Sequence, residues 1–524
     1  MEFLQNITPR EYQLKILETC KEKNCLVVLP TGIGKTLIAL MLTIERMKSF
    51  PNEKILFLAP TKPLVEQHLT YFTKHLPELF GDMNLFTGKI NPTERKKLWD
   101  SSDIIFSTPQ CIANDIKNNL YDLKQVSLLV EDEAHRCIKN YDYRYIAETY
   151  KSQAEHSRIL GLTASPGSTK EKIKEICKNL SVEALELRTR ESEDVSPFLQ
   201  ELKFKAEKID FPPEFEEIRQ LLKVPYNNYI NELKNRHLLF DFPSKTNLIM
   251  LQKKLMNSVS RGNRNFNTLK GISVCSSAIK LQHALELLET QTLESFYSYM
   301  KELFEQSAKS KSSGIKILVK KPQFTLAYNK TIELIAKKIE HPKLDKIKQL
   351  ILETYEKNPM AKSIIFSQYR NTASTIVKNL NTIEGIKAKV FIGQASKKGS
   401  IGLTQKEQKQ IIEDFSNGEI NVIACTSIGE EGLDIPEVNQ VIFYEPVPSE
   451  IRKIQRAGRT ARLFPGELTI LITKKTRDEA FHWASFSRER KMHKTISNIQ
   501  DEFSNKSENK QKTITDFKNN NEIK

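Results

Sequence analysis

No apolar run in this 524-residue chain approaches the ~18 residues that a membrane-spanning helix needs. Runs such as Cys25 to Leu29 and Ile55 to Leu58 are far shorter, which excludes a helical membrane protein. The first residues carry acidic Glu2 and no basic segment followed by an apolar one, so no secretory leader is expected. Cysteine is scarce and scattered: there are seven, an odd number, and only Cys20 and Cys25 lie close together. That excludes a disulfide framework and offers no paired zinc-ligand spacing, so a reducing, intracellular setting is expected. Acid is also short, with 65 Asp+Glu against 80 Lys+Arg, a net charge of +15. Such an excess favours a polyanionic partner, nucleic acid ahead of an acidic membrane surface, and says nothing about the fold.

What is present is the composition of a globular protein, 39% hydrophobic and 28% charged. At about 150 residues per domain, the length suggests three or four folding units. From Cys25 to Leu162 one unit repeats: a short buried-looking run, a polar or glycine-containing break, then a helical stretch. The runs are Cys25 to Leu29, Ile55 to Leu58, Asp103 to Phe106, Ser127 to Val130 and Ile159 to Leu162. Continuous apolar runs alternating with helices predict a parallel sheet covered on both faces. A motif follows each run directly, and ligands of such sheets bind beyond the carboxyl ends of the strands, so these motifs should converge in space. The rhythm returns after about residue 343, at Ser363 to Ser367, Lys389 to Gly393, Asn421 to Ser427, Gln440 to Pro446 and Glu467 to Thr473. The predicted fold is therefore α/β: two parallel-sheet domains, 1–211 and 343–496, with an α-helical insertion at 212–342 and a flexible tail at 497–524.

The charge is concentrated in the insertion. Pro212 to Lys330 holds 18 Lys+Arg against 10 Asp+Glu, an excess of 8 out of the chain's 15. Two windows contain no acid, Leu251 to Lys280 and Gln306 to Lys330, and the first carries Arg261, Arg264 and Lys270. They read either as solvated faces or as a clamp for phosphates.

Three motifs carry chemistry. Pro30-Thr31-Gly32-Ile33-Gly34-Lys35-Thr36 lies between a strand-like run and a helix, the context of a phosphate-binding loop. Its glycines let backbone N–H groups turn onto phosphate oxygens, Lys35 reaches the β and γ phosphates of ATP, and Thr36 can ligate Mg2+. Glu131-Asp132-Glu133-Ala134-His135 follows a second buried run, where Asp132 suits a metal's water shell and Glu133 a general base. Alone, Asp132-Glu133-Ala134-His135 could be the start of a solvent-facing helix. In Gln455 to Arg462, the residues Gln455, Arg459 and Arg462 are spaced to share one helical face, able to meet a γ-phosphate held by the other domain. An arginine placed that way is worth about 10³ to 10⁵ in rate.

Motif by motif, these residues resemble the superfamily 2 helicases. Arg10-Glu11-Tyr12-Gln13 resembles the adenine-reading Q motif, Thr163-Ala164-Ser165 the motif coupling hydrolysis to movement, and Thr426 to Pro436 a further conserved block. Leu29, where the fuller loop pattern has glycine, is an ordinary variant in that family. The resemblance implies two RecA-like domains, with Arg10 and Gln13 at the adenine and Gly432 and Asp434 at the ribose and phosphate. It also implies His135, Thr163 and Ser165 as coupling residues. Thr61, Lys62, Gly88, Thr108, Gln110, Ser367, Gln368, Arg370 and Thr426 would hold a nucleic-acid strand, through phosphate contacts that carry no sequence preference. Within the superfamily the chain looks most like the archaeal Hef helicases and their FANCM relatives, which implies action on forked or branched DNA. RNA-sensing helicases of the RIG-I and Dicer type are the nearest alternative, and a clamp that binds without moving is another. Many Hef proteins continue into a nuclease domain; here Glu489-Arg490-Lys491 reads as a decoy, since Thr495 stands where its aspartate belongs, and cleavage would need a separate nuclease partner. In the tail, Gln511, Ile514 and Phe517 resemble a sliding-clamp-binding motif, with Lys518 replacing the usual second aromatic.

Overall fold

The computed structural model describes residues 3–309, 313–394, 402–429, 435–461 and 464–519; in the last helix it describes the side chains to Gln500 and that of Glu502. The first domain alternates helix and strand: α1 (Glu11–Glu22), β1 (Cys25–Val28), α2 (Lys35–Ser49), β2 (Lys54–Leu58), α3 (Lys62–His75), β3 (Met83–Phe86) and α4 (Pro92–Ser101). It continues with β4 (Ile104–Ser107), α5 (Pro109–Lys117), β5 (Val126–Asp132), α6 (Asp142–Gln153), β6 (Ile159–Thr163), α7 (Lys170–Asn179) and β7 (Ala184–Leu187). The strands pair in parallel in the order β3-β4-β2-β5-β6-β1-β7. Because side chains alternate across a strand, Leu26 and Val28 enter one core while Cys25 and Val27 enter the other, on the opposite face of the sheet. Helices on both faces explain why the strands read as unbroken apolar runs.

The next strand, β8 (Leu202–Ile209), corrects the expected boundary at 211. It pairs in parallel with the last strand of the second sheet, so the second domain begins near residue 202. The reason it reads poorly is that it is an edge strand, mostly exposed and rich in lysine, a pattern that edge strands use against unwanted pairing. The bundle follows as α8 (Pro213–Asn235), α9 (Lys245–Ser260), α10 (Phe266–Thr290), α11 (Leu293–Lys309), α12 (Ser313–Val319) and α13 (Pro322–Ala336), around its own core of Leu222, Leu285, Phe296 and Phe324.

The second domain resumes with α14 (Lys343–Lys357), β9 (Ser363–Phe366), α15 (Arg370–Leu380), β10 (Ala388–Phe391), α16 (Gln405–Asn417), β11 (Val422–Cys425), β12 (Gln440–Phe443), α17 (Glu450–Ala457), β13 (Gly466–Thr473) and α18 (Arg477–Asn519). Its sheet order is β10-β11-β9-β12-β13-β8. The expected start of the tail at 497 moves later. In α18, Met492, Ile496 and Ile499 recur at i, i+4 and i+7 and are buried in the first domain's core beside Ile173, Ile176 and Leu185. Lys170 and Lys174 pair with Glu502. Thus α18 starts in the second domain and crosses onto the first between Met492 and Glu502.

Candidate functional site

The phosphate loop leaves β1 and enters α2 at Gly34. Gly32 and Gly34 have φ of +83° and +85°, a left-handed backbone in which a Cβ is strained, so both positions need glycine. Gly34 has a second constraint, since a Cβ there would overlap Gln13 Nε2. Gln13 Nε2 donates to Ile33 O (3.2 Å) and Gly34 O (3.4 Å), Tyr12 Oη donates to Ile33 O (2.5 Å), and Gln13 Oε1 accepts from Arg10 N (2.9 Å). These contacts lash α1 to the loop. The Arg10 guanidinium lies 4.6 Å from the centre of the Phe198 ring, an aromatic that the sequence pattern did not reveal. Lys35 Nζ donates to Leu29 O (3.0 Å) and Pro30 O (3.2 Å), folding its charge over the loop that carries Thr31 and leads to Thr36.

Asp132 closes β5 and receives His68 Nε2 at 2.8 Å. Burial pushes its carboxyl up, but the His68 hydrogen bond and charge, the Lys35 ammonium and the Glu133 N–H outweigh that and hold it below the usual range. His68 carries no signal in the sequence; only the packing of α3 on β5 reveals it. Glu133 has φ +51°, an uncommon backbone for a side chain of its size, and its Oε2 lies 3.2 Å from His135 Nδ1. His135 Nδ1 is also 3.2 Å from Thr163 Oγ1, which accepts from Ser165 N (3.1 Å). Ser165 Oγ in turn donates to Met492 Sδ on α18 (2.9 Å). Glu131 lies outside this network: it is fully buried, and burial pushes its carboxyl well up against a smaller downward pull from the Cys137 thiol.

The helical-face reading of Gln455, Arg459 and Arg462 is corrected. The helix α17 ends at Ala457, so Gln455 lies on it whereas Arg459 lies on the loop beyond. The loop is fixed by Thr460, whose Oγ1 donates to Val438 O (2.5 Å), and by Val438 N donating to Arg459 O (3.1 Å). Arg462, Gly432 and Asp434 lie outside the described residues. Gly458 packs on the phosphate loop of the other domain so closely that a Cβ would overlap Thr31 Oγ1 and Cβ. Its own φ is −70°, open to any residue, so the close approach is what requires glycine here.

A cavity of about 1380 Å³ lies between the two sheet domains and the bundle. Thr61, Gln368, Arg370 and Thr426 line it together with His135 and Gln455. Arg370 Nη2 donates to Gly393 O (3.0 Å), and Ser367 is buried behind the lining. Lys62 pairs with Glu66 (3.1 Å). Gly88 follows β3, Thr108 is the N-cap of α5 and Gln110 lies in the first turn of that helix, and none of the three lines the cavity. The bundle's wall is mostly α11, which presents Glu302 and Glu305 as well as Lys309, with His283 and Leu287 of α10 and Ile315 of α12. The bundle's cations lie elsewhere: Lys253 and Lys254 on α9, with Arg261 and Arg264 in the turn to α10, are exposed, and Lys270 is half-buried. Met250, Lys253, Lys254, Asn257 and Arg261 line a groove of about 540 Å³ there. Among the described residues, no group of three or more His, Cys, Asp or Glu could hold a metal, and no helix is long and apolar enough to cross a membrane. Glu489 of the decoy segment pairs with Lys453 (2.6 Å). The side chains of Gln511, Ile514 and Phe517 lie outside the described residues.

Three family models match the chain in succession: "Type III restriction enzyme, res subunit" over residues 6–168, "Putative ATP-dependent RNA helicase, helical bundle" over 214–340, and "Helicase conserved C-terminal domain" over 342–464. The Methanocaldococcus jannaschii protein named "Putative ATP-dependent RNA helicase MJ1505" is 40% identical over 94% of this chain and 61% of its own length. The Schizosaccharomyces pombe "ATP-dependent DNA helicase fml1" is 31% identical over 90% of this chain and 57% of its own. The chain thus spans about three fifths of these two relatives. The crystal structure of the Pyrococcus furiosus Hef helicase domain superposes with a TM-score of 0.69 at 42% identity, covering 91% of this chain and 98% of that one. With both sheet domains and the bundle between them matched, the chain belongs to the superfamily 2 helicases, in the group of Hef and FANCM.

Proposed function

We propose that the chain is an ATP-driven helicase that moves along DNA and acts on forked or branched DNA. The observation that carries the reading is the shared wall of the large cavity. His135, 3.2 Å from the Glu133 carboxylate, and Gln455, three residues before the glycine that packs on the phosphate loop, line the same space as Thr61, Gln368, Arg370 and Thr426. A change at the nucleotide is therefore one side chain away from a bound strand.

In this reading Gly32, Ile33 and Gly34 offer backbone N–H groups to the phosphates at the start of α2, and Lys35 leaves its loop carbonyls for the β and γ phosphates. Arg10, Gln13 and Phe198 flank the adenine, and Gly432 and Asp434 the ribose. Thr36 and Asp132 would hold magnesium; an aspartate kept ionised despite burial fits a hard cation that retains most of its waters. Bound there, the ion would neutralise phosphate charge. Glu133 orients and deprotonates the attacking water, and Gln455, Arg459 and Arg462 meet the γ-phosphate. The exposed cations around Arg261 hold a DNA arm outside the cavity. For the tail we propose that Ile514 and Phe517 plug into a sliding clamp, which loss of co-purification in Phe517→Ala would report.

One observation favours RNA instead: the bundle model and one relative carry RNA helicase in their names. ATP turnover measured side by side with forked DNA, linear DNA and double-stranded RNA separates the two, with strand displacement from a labelled fork as the second readout. The motor reading fails if ATP is turned over while forks stay intact, or if Lys35→Ala retains DNA-stimulated turnover.

A further inference from the structure

The junction of the bundle with the second domain is built around one buried carboxylate that no motif above uses. Glu445 follows β12 and is 4% exposed. Its Oε1 accepts Gln368 N (2.6 Å), from the loop that lines the nucleic-acid cavity, and its Oε2 accepts Gln291 Nε2 (3.3 Å), from the bundle. Gln291 Oε1 accepts Thr372 Oγ1 (2.9 Å), and Thr372 Oγ1 lies 3.0 Å from Ser295 Oγ on α11, the bundle's wall of the cavity. On the other side is Arg456 of α17, one residue after Gln455, buried between the rings of Phe366 and Phe443 at 4.9 and 5.5 Å. A buried carboxylate reached by three separate elements costs solvation that an apolar residue would not, which calls for a role beyond packing.

We infer that Glu445 is a positioning residue that holds the cavity loop Ser367–Arg370, the α17 helix bearing Gln455, and the bundle in one register, so that a strand in the cavity alters the nucleotide side. The inference rests on the motor reading above. Both of its hydrogen-bonding neighbours are N–H donors, so the ionised acid satisfies them and a protonated one brings a hydrogen that neither can accept. Burial pushes the carboxyl up to about 7, with the charges of Arg456 and Lys343 and the Gln291 hydrogen bond pulling it down and that of Asp478 adding to the rise. Lys343 and Asp478 are paired with each other at 2.6 Å, and Tyr369 of the loop and Tyr444 beside Glu445 are further titratable groups facing it. The register therefore tightens as pH rises through neutrality.

The test compares full-length wild type with Glu445→Gln and Glu445→Ala. Basal and fork-stimulated ATP turnover are measured from about pH 6 to about pH 8, with thermal unfolding to confirm that each variant is folded. The stimulation factor of wild type should climb across that range. In Glu445→Gln it should be flat and about five- to tenfold lower, with basal turnover unchanged. A wild-type stimulation factor and pH profile in Glu445→Gln overturns the inference. An equal drop in basal and stimulated turnover overturns it too, since that would mark support of the fold alone. A wild type that no DNA stimulates overturns the motor reading, and this inference with it.

Discussion

Substituting Gly458 by alanine tests the contact across the nucleotide cleft directly. The backbone at 458 tolerates alanine, so the added methyl acts through sterics alone. It would overlap Thr31 Oγ1 and Cβ and crowd Thr31 Cγ2 at 3.1 Å, none of which is the far end of a flexible side chain. Thr31 is fixed within the loop whose carbonyls hold Lys35, so relief must come from the two domains separating, by on the order of 1 Å. A displacement of that size in a positioned catalytic group costs about 10²-fold in rate, or about 3 kcal/mol of transition-state stabilisation. Nucleotide affinity should change little, because the bonds of Gln13 to the loop at Ile33 and Gly34 lie outside the contact and remain. The assay is steady-state ATP turnover with saturating forked DNA beside equilibrium binding of a fluorescent nucleotide. The expected result is a kcat lower by about two decades with Kd nearly constant. Combining Gly458→Ala with Thr31→Gly, which removes the overlapped atoms, should restore part of the loss. A Gly458→Ala protein that turns over ATP at the wild-type rate would refute the argument that this approach forms part of the working cleft.

Replacing Lys254, Arg261 and Arg264 together by alanine should weaken fork binding and flatten its log-log salt dependence by up to about 0.9 for each phosphate no longer neutralised, with basal ATP turnover intact; fluorescence anisotropy at several salt concentrations measures both. His341 is fully buried with its Nε2 unpartnered, and burial and then the neighbouring Lys343 charge hold its pKa well below the usual value. The unfolded chain therefore takes up a proton near the ordinary value that the folded chain refuses, and stability should fall as pH drops below about 6.5, by up to about 1.4 kcal/mol per pH unit. His341→Gln should remove that slope from thermal melts taken across the range. Ile496→Ala leaves a cavity where α18 meets the first domain and should cost about 2–4 kcal/mol in denaturant melts; a change below half a kilocalorie would mean that α18 does not dock there.

How much of this is legible without coordinates depends on whether a signal is local. Ten of the thirteen strands show as apolar runs, because a parallel strand buried on both faces has no polar alternation to hide it. The three that do not, β3, β7 and β8, are only partly buried and lie at or near sheet edges, where the neighbour that fixes them is distant in sequence. The phosphate loop and the Asp132-Glu133 pair announce themselves because each packs its chemistry into a few consecutive residues. His68 and Glu445 do not, since a lone histidine on α3 and a lone glutamate after β12 acquire meaning only from partners dozens of residues away. The spacing argument at Gln455, Arg459 and Arg462 failed for a different reason: it assumed that a helix continues through Gly458, and the glycine is where it stops.

The misplaced boundary at β8 changes the mechanics as well as the map. Since β8 pairs with β13 and precedes the bundle, the bundle is an insertion within the second domain rather than a link between two domains. Its described hydrogen bonds run the same way: Glu294 to Thr375 (2.8 Å), Gln282 O to Arg477 (2.7 Å), Thr290 O to Lys343 (3.1 Å) and Gln291 to Glu445. Bundle and second domain are thus bonded together, and among the described residues the first domain meets them through α18, through Ile454 of α17 and through the Gly458 contact. Any opening of the cleft would act on all of these contacts. Gly458 touches through a face with no side chain, and can part freely. The α18 helix is anchored by buried Met492, Ile496 and Ile499, and cannot. Any opening of the cleft would therefore have to preserve the α18 attachment, beside which Ser165 is bonded to Met492.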